Sequence, residues 1–454
     1  MKKIKYSVLF ILICFFVSIY LLNNHFLFPN ESRMDSKDSI KSYADPIITI
    51  SDNSGFSAYP GYGNSTHPYI IENKIIDGSW NSDCISITDT TAYFIIRYCI
   101  IYNGKYGISL DNVTNGKLLN NTCHSHQYSG FLLYDAYDNI LINNTAYNNT
   151  EKGIWLFDVD NQCNNNTLIK NQFYENQIGI EIFQGGKFNN LTKNIARNNS
   201  QIGLYLHIAI NTTLIDNIAN NNSQGIYLSN SYNNTIFNNT ANYNTEHGFD
   251  LRDSDDNNLT GNFGCDNSGS GVYLESADNN TIKRNVLHHN ALCINETAGC
   301  TGNVKLDNNC NIPILSGGSV TPTIGDTSTL FVYSITYTDA DNIGPTSIVV
   351  KINDIPYQMT KLTHGDNTYT DGCIYVYSTI LTASSVHSYC FETIDVITKV
   401  NLPSTGANLG PYVSATTSGI PGFTLTFMIL GIIMVISLSI KLLLMKKEDI
   451  IFSL

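Results

Sequence analysis

The residues of this 454-residue chain best placed for chemistry recur at one position of a repeat. Ser86, Ser109, Leu132, Trp155, Glu181, Tyr205, Tyr227, Asp250 and Tyr273 follow one another about every 23 residues. Rings and carboxylates sharing such a column would grip a polysaccharide, with aromatic faces under sugar rings and acids on hydroxyls. Trp155, Glu181, Tyr205, Tyr227, Asp250 and Tyr273 are therefore the candidate carbohydrate-binding residues. Exposed Tyr and Trp are also ordinary strand formers that stack on each other, so packing alone produces the same column.

Other ionisable residues offer acid–base or calcium chemistry. Asp135, Asp158, Asp160, Asp253 and Glu275 are acidic, Arg252 lies near Asp250 and Glu275, and Lys187 lies near the loop 158–164. Spacing marks out no pair, and Asp at bends commonly just caps backbone, so no residue is assigned as catalytic. Calcium is the one cofactor these acids leave open. Cys123-His124-Ser125-His126 brings metal-ligating types together, but parity turns Cys123 into the core as a buried free thiol, and no metal ligand is assigned.

The elements that position these residues follow from the repeat. Gly107, Gly130, Gly153, Gly179, Gly203, Gly225, Gly248 and Gly271 each open a short aliphatic run, with Cys84 and Cys293 in the same slot one period before and after. In phase with them run Asn121, Asn144, Asn171, Asn194, Asn217, Asn239, Asn262, Asn285 and Asn308. In Gly225-Ile226-Tyr227-Leu228 the aliphatics share a parity and face inward while Tyr227 faces out. Ile236 is a second inward site, and a third lies two residues past each ladder Asn, at Ala146, Phe173, Ala196, Ala219, Ala241 and Leu287. No helical spacing persists, and the Asn and Gly content opposes helix. The chain therefore reads as all-β, a parallel β-helix of about ten turns stabilised by stacking of its repeats. Asn suits the bends because it tolerates left-handed backbone, and stacked amides can bond to one another.

Repeats of the form Gly-Ile-x-Leu followed by Asn-Asn-Thr-Ile-x-x-Asn, entered through Pro68-Tyr69-Ile70-Ile71-Glu72 and Ile75-Ile76-Asp77-Gly78, resemble the NosD-like right-handed parallel β-helix family. The resemblance covers about Tyr43 to Asn311 and implies the fold. Such repeats serve lyases, epimerases, adhesins and assembly factors alike. Some relatives are described as periplasmic copper-binding proteins, but no Met, His or Cys cluster recurs here at ligand spacing.

The expected organisation runs as follows. Residues 1–28, with Lys2, Lys3 and Lys5 ahead of an apolar run, read as a signal peptide or signal anchor. A tether covers 29–44 and the β-helix 45–311, with an entry cap over 45–83. A β-sandwich over 312–400 resembles the immunoglobulin-like modules of prokaryotic surface proteins, on strands such as Leu330–Thr338 and Ser347–Asn353. A stalk over 401–421 leads to a transmembrane helix over 422–445 and a cytoplasmic tail over 446–454. Pro421-Gly422-Phe423 resembles the C-terminal sorting signals of archaeal surface proteins. Cys373 with Cys390 is the preferred disulfide. Net charge of −13 argues against nucleic acid. Sequons begin at Asn112, Asn120, Asn143, Asn148, Asn165, Asn190, Asn198, Asn211, Asn221, Asn233, Asn238, Asn258 and Asn279, many of them generated by the ladder motif itself.

Together these features predict a membrane-anchored protein with its body outside the cell. Its role would be binding or structure, and its partner an extracellular polysaccharide or envelope protein. The alternative is a polysaccharide lyase, epimerase or hydrolase working along the solenoid wall; a copper-related assembly role ranks third.

Overall fold

The computed structural model describes residues 44–157, 163–395 and 398–415. The signal segment, tether, transmembrane segment and tail expected from the sequence lie outside these residues, as do Asp158 and Asp160. Among the described residues no helix is long and apolar enough to cross a membrane.

From Asp45 to about Asn311 the chain coils into a parallel β-helix with three walls. Wall 1 has 11 strands, from Ile48–Ile50 to Leu292–Glu296; wall 2 has 11, from Tyr69–Glu72 to Val304–Leu306; wall 3 has 6, from Ile75–Asp77 to Ile195–Arg197. Wall 3 then continues as single parallel bridges through Ile218, Thr240, Phe263 and Val286 to Asn309. Every pairing between turns in the walls is parallel and steps by one repeat, as in Leu204 opposite Ile226 and Leu214 opposite Ile236. The aliphatics at the predicted inward parity form one continuous core, and Ala146, Phe173, Ala196, Ala219, Ala241 and Leu287 are all buried in it.

The bends divide their work between neighbouring residues. At Asn143-Asn144 the first residue takes the left-handed backbone (φ 54°) and stays exposed, whereas the second is buried in the ladder. The sequence reading gave both jobs to one Asn. Along the ladder each Nδ2 donates to the next turn's Oδ1 at 2.9–3.1 Å, from Asn121 to Asn308. Two further ladders run at the other bends, one through Asn139, Asn166 and Asn189, the other through Asn149, Asn176 and Asn199. A buried amide is tolerable only when its donors and acceptor are used, and the next turn supplies those partners.

The glycine slot has a steric cause. A Cβ at Gly153 would lie 2.6 Å from the carbonyl oxygen of Gly179 and 2.6 Å from the Phe173 ring, so the slot packs directly against the third inward column. Where that glycine gives way to cysteine at the last turn, the partner column also supplies one, and Cys293 is disulfide-bonded to Cys310. Cys84 fills the same slot in the first turn, but the third inward position of its turn is Ile101, and Cys84 stays a free buried thiol. Cys123 is likewise free and buried.

Residues beyond the solenoid form two antiparallel sheets on a second core. Phe331–Thr338 pairs with Ile314–Thr321 and Cys373–Thr379 in one sheet, and Ser347–Ile352 pairs with Ile355–Gln358 and Ser388–Asp395 in the other. Phe331, Tyr333, Val350 and Phe391 meet between them. The module is held to the last turn by Asp341, which accepts from the backbone N–H of Cys310 at 2.7 Å and from the side chain of Asn311 at 2.9 Å.

Two expectations are corrected here. Cys373 and Cys390 are both free thiols: they sit on strands of different sheets, and Cys390 lies between the buried Tyr389 and Phe391, so its parity turns it away from the core that holds Cys373. The stalk expected from residue 401 is partly folded. Leu402 pairs with Phe391, Tyr412 pairs with Ile324, and Val413 is buried in the second core.

Candidate functional site

The outer face of wall 1 carries the predicted column in register. Leu132 stands opposite Trp155, Trp155 opposite Glu181, Glu181 opposite Tyr205, Tyr205 opposite Tyr227, Tyr227 opposite Asp250 and Asp250 opposite Tyr273. The strand repeat thus brings all six candidate residues onto one stripe. A second stripe, which the sequence reading missed, lies two residues downstream and runs Tyr134, Phe157, Phe183, His207, Ser229, Arg252 and Glu275. Period-two spacing from the first column is the signal that would have found it.

Ring geometry changes what the column can offer. Tyr205 and Tyr227 stack on each other at 4.9 Å and 7°, and His247 stacks on Tyr273 at 4.4 Å and 9°. Rings layered along the solenoid axis cover each other's faces and turn their edges outward. Trp155 is sandwiched too, with the Lys152 ammonium 4.1 Å above its ring and Phe157 stacked at 4.7 Å. The expected laying of sugars on open aromatic faces is therefore not the arrangement at Tyr205, Tyr227 or Trp155.

The acids are sunk into the wall. Asp250 is fully buried, accepts two bonds from Arg252 Nε and Nη2 to its carboxylate at 3.1 Å each, and takes a third from Gln224 Nε2 at 2.9 Å. Burial raises its pKa against the pull of Arg252. Arg252 also reaches Glu275 at 3.3 Å and lies over Tyr273 at 5.2 Å. This cluster is closed: each charge has a partner within it.

Around Glu181 the balance differs. Glu181 is 5% exposed, and burial raises its pKa, opposed by Lys152, whose Nζ stands 3.3 Å from Oε2 and 3.2 Å from Glu151. That approach is an ion pair whose alignment falls short of a full hydrogen bond at Oε2. The indole Nε1 of Trp155 and Nδ1 of His207 are also buried without partners among the described residues. His207 stacks on Phe183 at 4.6 Å, and burial lowers its pKa. One donor, one carboxylate and one imidazole nitrogen, all unsatisfied, thus share three successive turns of one face. Native proteins leave few such groups unpaired.

The remaining candidates do not join this set. Asp135 and Asp253 occupy left-handed bends, and His126 lies in the third amide ladder, where its backbone N–H donates to Asn149. A groove lined by Arg284, Asp307, Asn342 and Ile343 opens where the last turn meets the C-terminal module. Among the described residues no group of three or more His, Cys, Asp or Glu side chains is placed to hold a metal ion.

Three parallel walls, a stacked core and buried amide ladders define a β-helix of about ten turns, and the comparisons agree with this class. A family profile for the right-handed β-helix region matches residues 61–217, and one for the periplasmic copper-binding protein NosD matches residues 185–311. The body is accordingly a NosD-like right-handed β-helix. The copper in that family's name finds no ligand set among the described residues. Similar solved structures include the A-module of the mannuronan C-5 epimerase AlgE6 of Azotobacter vinelandii, at 14% identity and TM-score 0.43, covering 54% of this chain and 78% of that one. Others are PfbA, a surface adhesin of Streptococcus pneumoniae, at 10%, TM-score 0.29 and 60% and 81% coverage, and tailspike protein 2 of bacteriophage CBA120, at 10%, TM-score 0.38 and 73% and 66%. At this distance none of them assigns an activity. No curated protein matches the chain.

Proposed function

We propose that the protein is an exported surface protein, held to the membrane through its apolar C-terminal segment, whose β-helix binds a polyhydroxylated chain on wall 1 between Trp155 and His207. One observation carries this reading: Trp155 Nε1, Glu181 Oε2 and His207 Nδ1 are buried on one face without hydrogen-bond partners. A saccharide supplies alternating hydroxyl donors and acceptors, which is what an indole N–H, a carboxylate and an imidazole nitrogen lack there. Tyr205, Tyr227 and Tyr273 would then meet the chain at their edges and hydroxyls, and the closed Asp250–Arg252 cluster would hold the wall in shape. The Cys293–Cys310 disulfide supports export, since such bonds persist in oxidising compartments. The two-sheet module at the C-terminus is read as an immunoglobulin-like spacer between body and membrane.

The test is retention of the full-length protein, in detergent, on a panel of immobilised polysaccharides. Trp155→Phe keeps an aromatic ring but removes the N–H together with the pyrrole part of the indole, and Glu181→Gln removes the charge. Retention should fall about tenfold in either variant, the loss of roughly one hydrogen bond to a buried partner. Equal retention by wild type and both variants would sink the proposal.

A second reading has its own support. A buried carboxylate with a raised pKa beside an ammonium at 3.3 Å is the kind of pair that exchanges protons with a substrate. Release of new reducing or unsaturated ends by wild type, lost in Glu181→Gln, would make the wall that of a hydrolase or a lyase, and inversion of a sugar carbon without new ends that of an epimerase.

A further inference from the structure

The bend residues that precede the buried ladders carry a second chemistry. Asn165, Asn211, Asn233 and Asn279 stand at the bend before wall 2, Asn120, Asn143 and Asn238 between walls 2 and 3, and Asn148, Asn198 and Asn221 before wall 1. All ten are exposed and left-handed, with φ between 52° and 56°. In nine of them the next residue is an Asn buried in a ladder, after Asn211 it is the buried Thr212, and in all ten the residue after that is Ser or Thr. Asn165-Asn166-Thr167 shows the logic: Asn165 turns the chain in solvent, Asn166 bonds the next turn, and Thr167 starts a strand with its side chain outward. Every such triplet is an acceptor sequence for N-linked glycan.

Exposure alone would be a weak warrant, and two more observations sharpen it. The backbone N–H of each bend Asn is spent on the next turn, as in Asn165 to Lys187 O at 3.0 Å and Asn198 to Asn220 O at 3.2 Å. Its side-chain amide, by contrast, makes no hydrogen bond among the described residues in Asn165, Asn198, Asn221 and Asn279, and at Asn148 and Asn238 it makes one surface bond. A substituent on Nδ2 therefore costs the fold almost nothing. The distribution is also uneven. Wall 2 adds Asn190 and Asn258 on its outer face, each with its Thr two residues on and donating to it. Wall 1 has no acceptor sequence in any of its strands from Phe131–Tyr134 to Ser270–Glu275. Its only two, at Asn112 and Asn295, lie outside that span.

We infer that the bends and wall 2 are N-glycosylated and that the strands of walls 1 and 3 are left bare, so that the stripe from Trp155 to Tyr273 lies on a face open to large ligands. The reaction needs a lipid-linked glycosyl donor on the outer side of the membrane. Asparagine Nδ2 bonds to the sugar's anomeric carbon, the bond from that carbon to the lipid phosphate oxygen breaks, and the amide proton leaves. This inference rests on export but not on any ligand for wall 1, so its test starts from protein recovered from the outer face of its own cells.

Intact-mass and glycopeptide mass spectrometry on that material should show glycan on peptides holding Asn148, Asn165, Asn198, Asn221 or Asn279. The double variant Thr167→Val and Thr281→Val keeps both asparagines and two β-branched strand residues, and should carry two glycans fewer with an unchanged circular dichroism spectrum. Bare peptides at all five sites, or an unchanged glycan count in the double variant, would overturn the inference.

Discussion

Replacing His126 by Asn tests how the ladders treat a titratable group. His126 occupies a position that is Asn149, Asn176 and Asn199 in the following turns, is fully buried, and accepts the Gly104 N–H on Nδ1 at 3.0 Å. Burial pushes its imidazole down to about 4 from the ordinary 6.5. A base whose folded pKa is depressed gives stability that is complete above 6.5 and lost as pH falls toward 4, because the unfolded chain takes up a proton that the native chain refuses. At pH 5 the unfolded state is already about 1.5 units below its pKa while the native imidazole is still neutral, so the loss is roughly 2 kcal/mol. Asn does not titrate and restores the amide common to that column. Urea melts of wild type and His126→Asn at pH 5 and pH 7.5 separate this from everything else, since His124, His207 and His247, also lowered by burial, are present in both proteins. The variant should gain about 2 kcal/mol on wild type between the two pH values. An identical difference at both would refute the argument that the site excludes a proton.

Two further perturbations follow from the same packing. Asn194→Ala removes an amide that donates to Leu168 O at 2.9 Å and Asn217 Oδ1 at 3.0 Å and accepts two bonds from Asn171; with several buried groups orphaned it should cost roughly 4 kcal/mol in chemical denaturation, and a loss below about 1 kcal/mol would show that water enters the ladder. Reduction of Cys293–Cys310, which closes a loop over a separation of 17 residues, should speed amide exchange in Leu292–Glu296 and Val304–Leu306 and leave the Asn194 region unchanged, with a contribution of about 3 kcal/mol at stake; equal protection before and after would mean that the C-terminal module alone closes the solenoid.

What the sequence shows and what it hides divide along a physical line. The wall 1 column could be written down residue by residue because strand parity and a glycine slot are one-dimensional signals: Gly225 fixes Tyr227 as outward whatever else surrounds it. The immediate neighbour stripe from Tyr134 to Glu275 obeys the same parity and is equally legible. Contacts that cross a bend carry no such signal. Cys293 and Cys310 belong to two columns that meet only in the folded turn, which is why Cys373 and Cys390, closer in type and context, looked the better pair.

The same distinction decides how the candidate site should be understood. Column membership says that Trp155, Glu181 and Tyr205 are neighbours, but the use of each group depends on what its faces and lone pairs already touch. Tyr205 and Tyr227 spend their faces on each other, and Asp250 spends its charge on Arg252 and Gln224. Glu181 alone among the column's acids keeps a buried oxygen without a hydrogen bond, and it does so beside two rings whose nitrogens are equally unspent. A solenoid that satisfies its buried amides through three ladders has the means to satisfy these atoms as well. That it leaves them unbonded on a wall whose strands carry no acceptor sequence between Leu132 and Tyr273 is the strongest argument that this stretch of wall 1 is where the protein meets its partner.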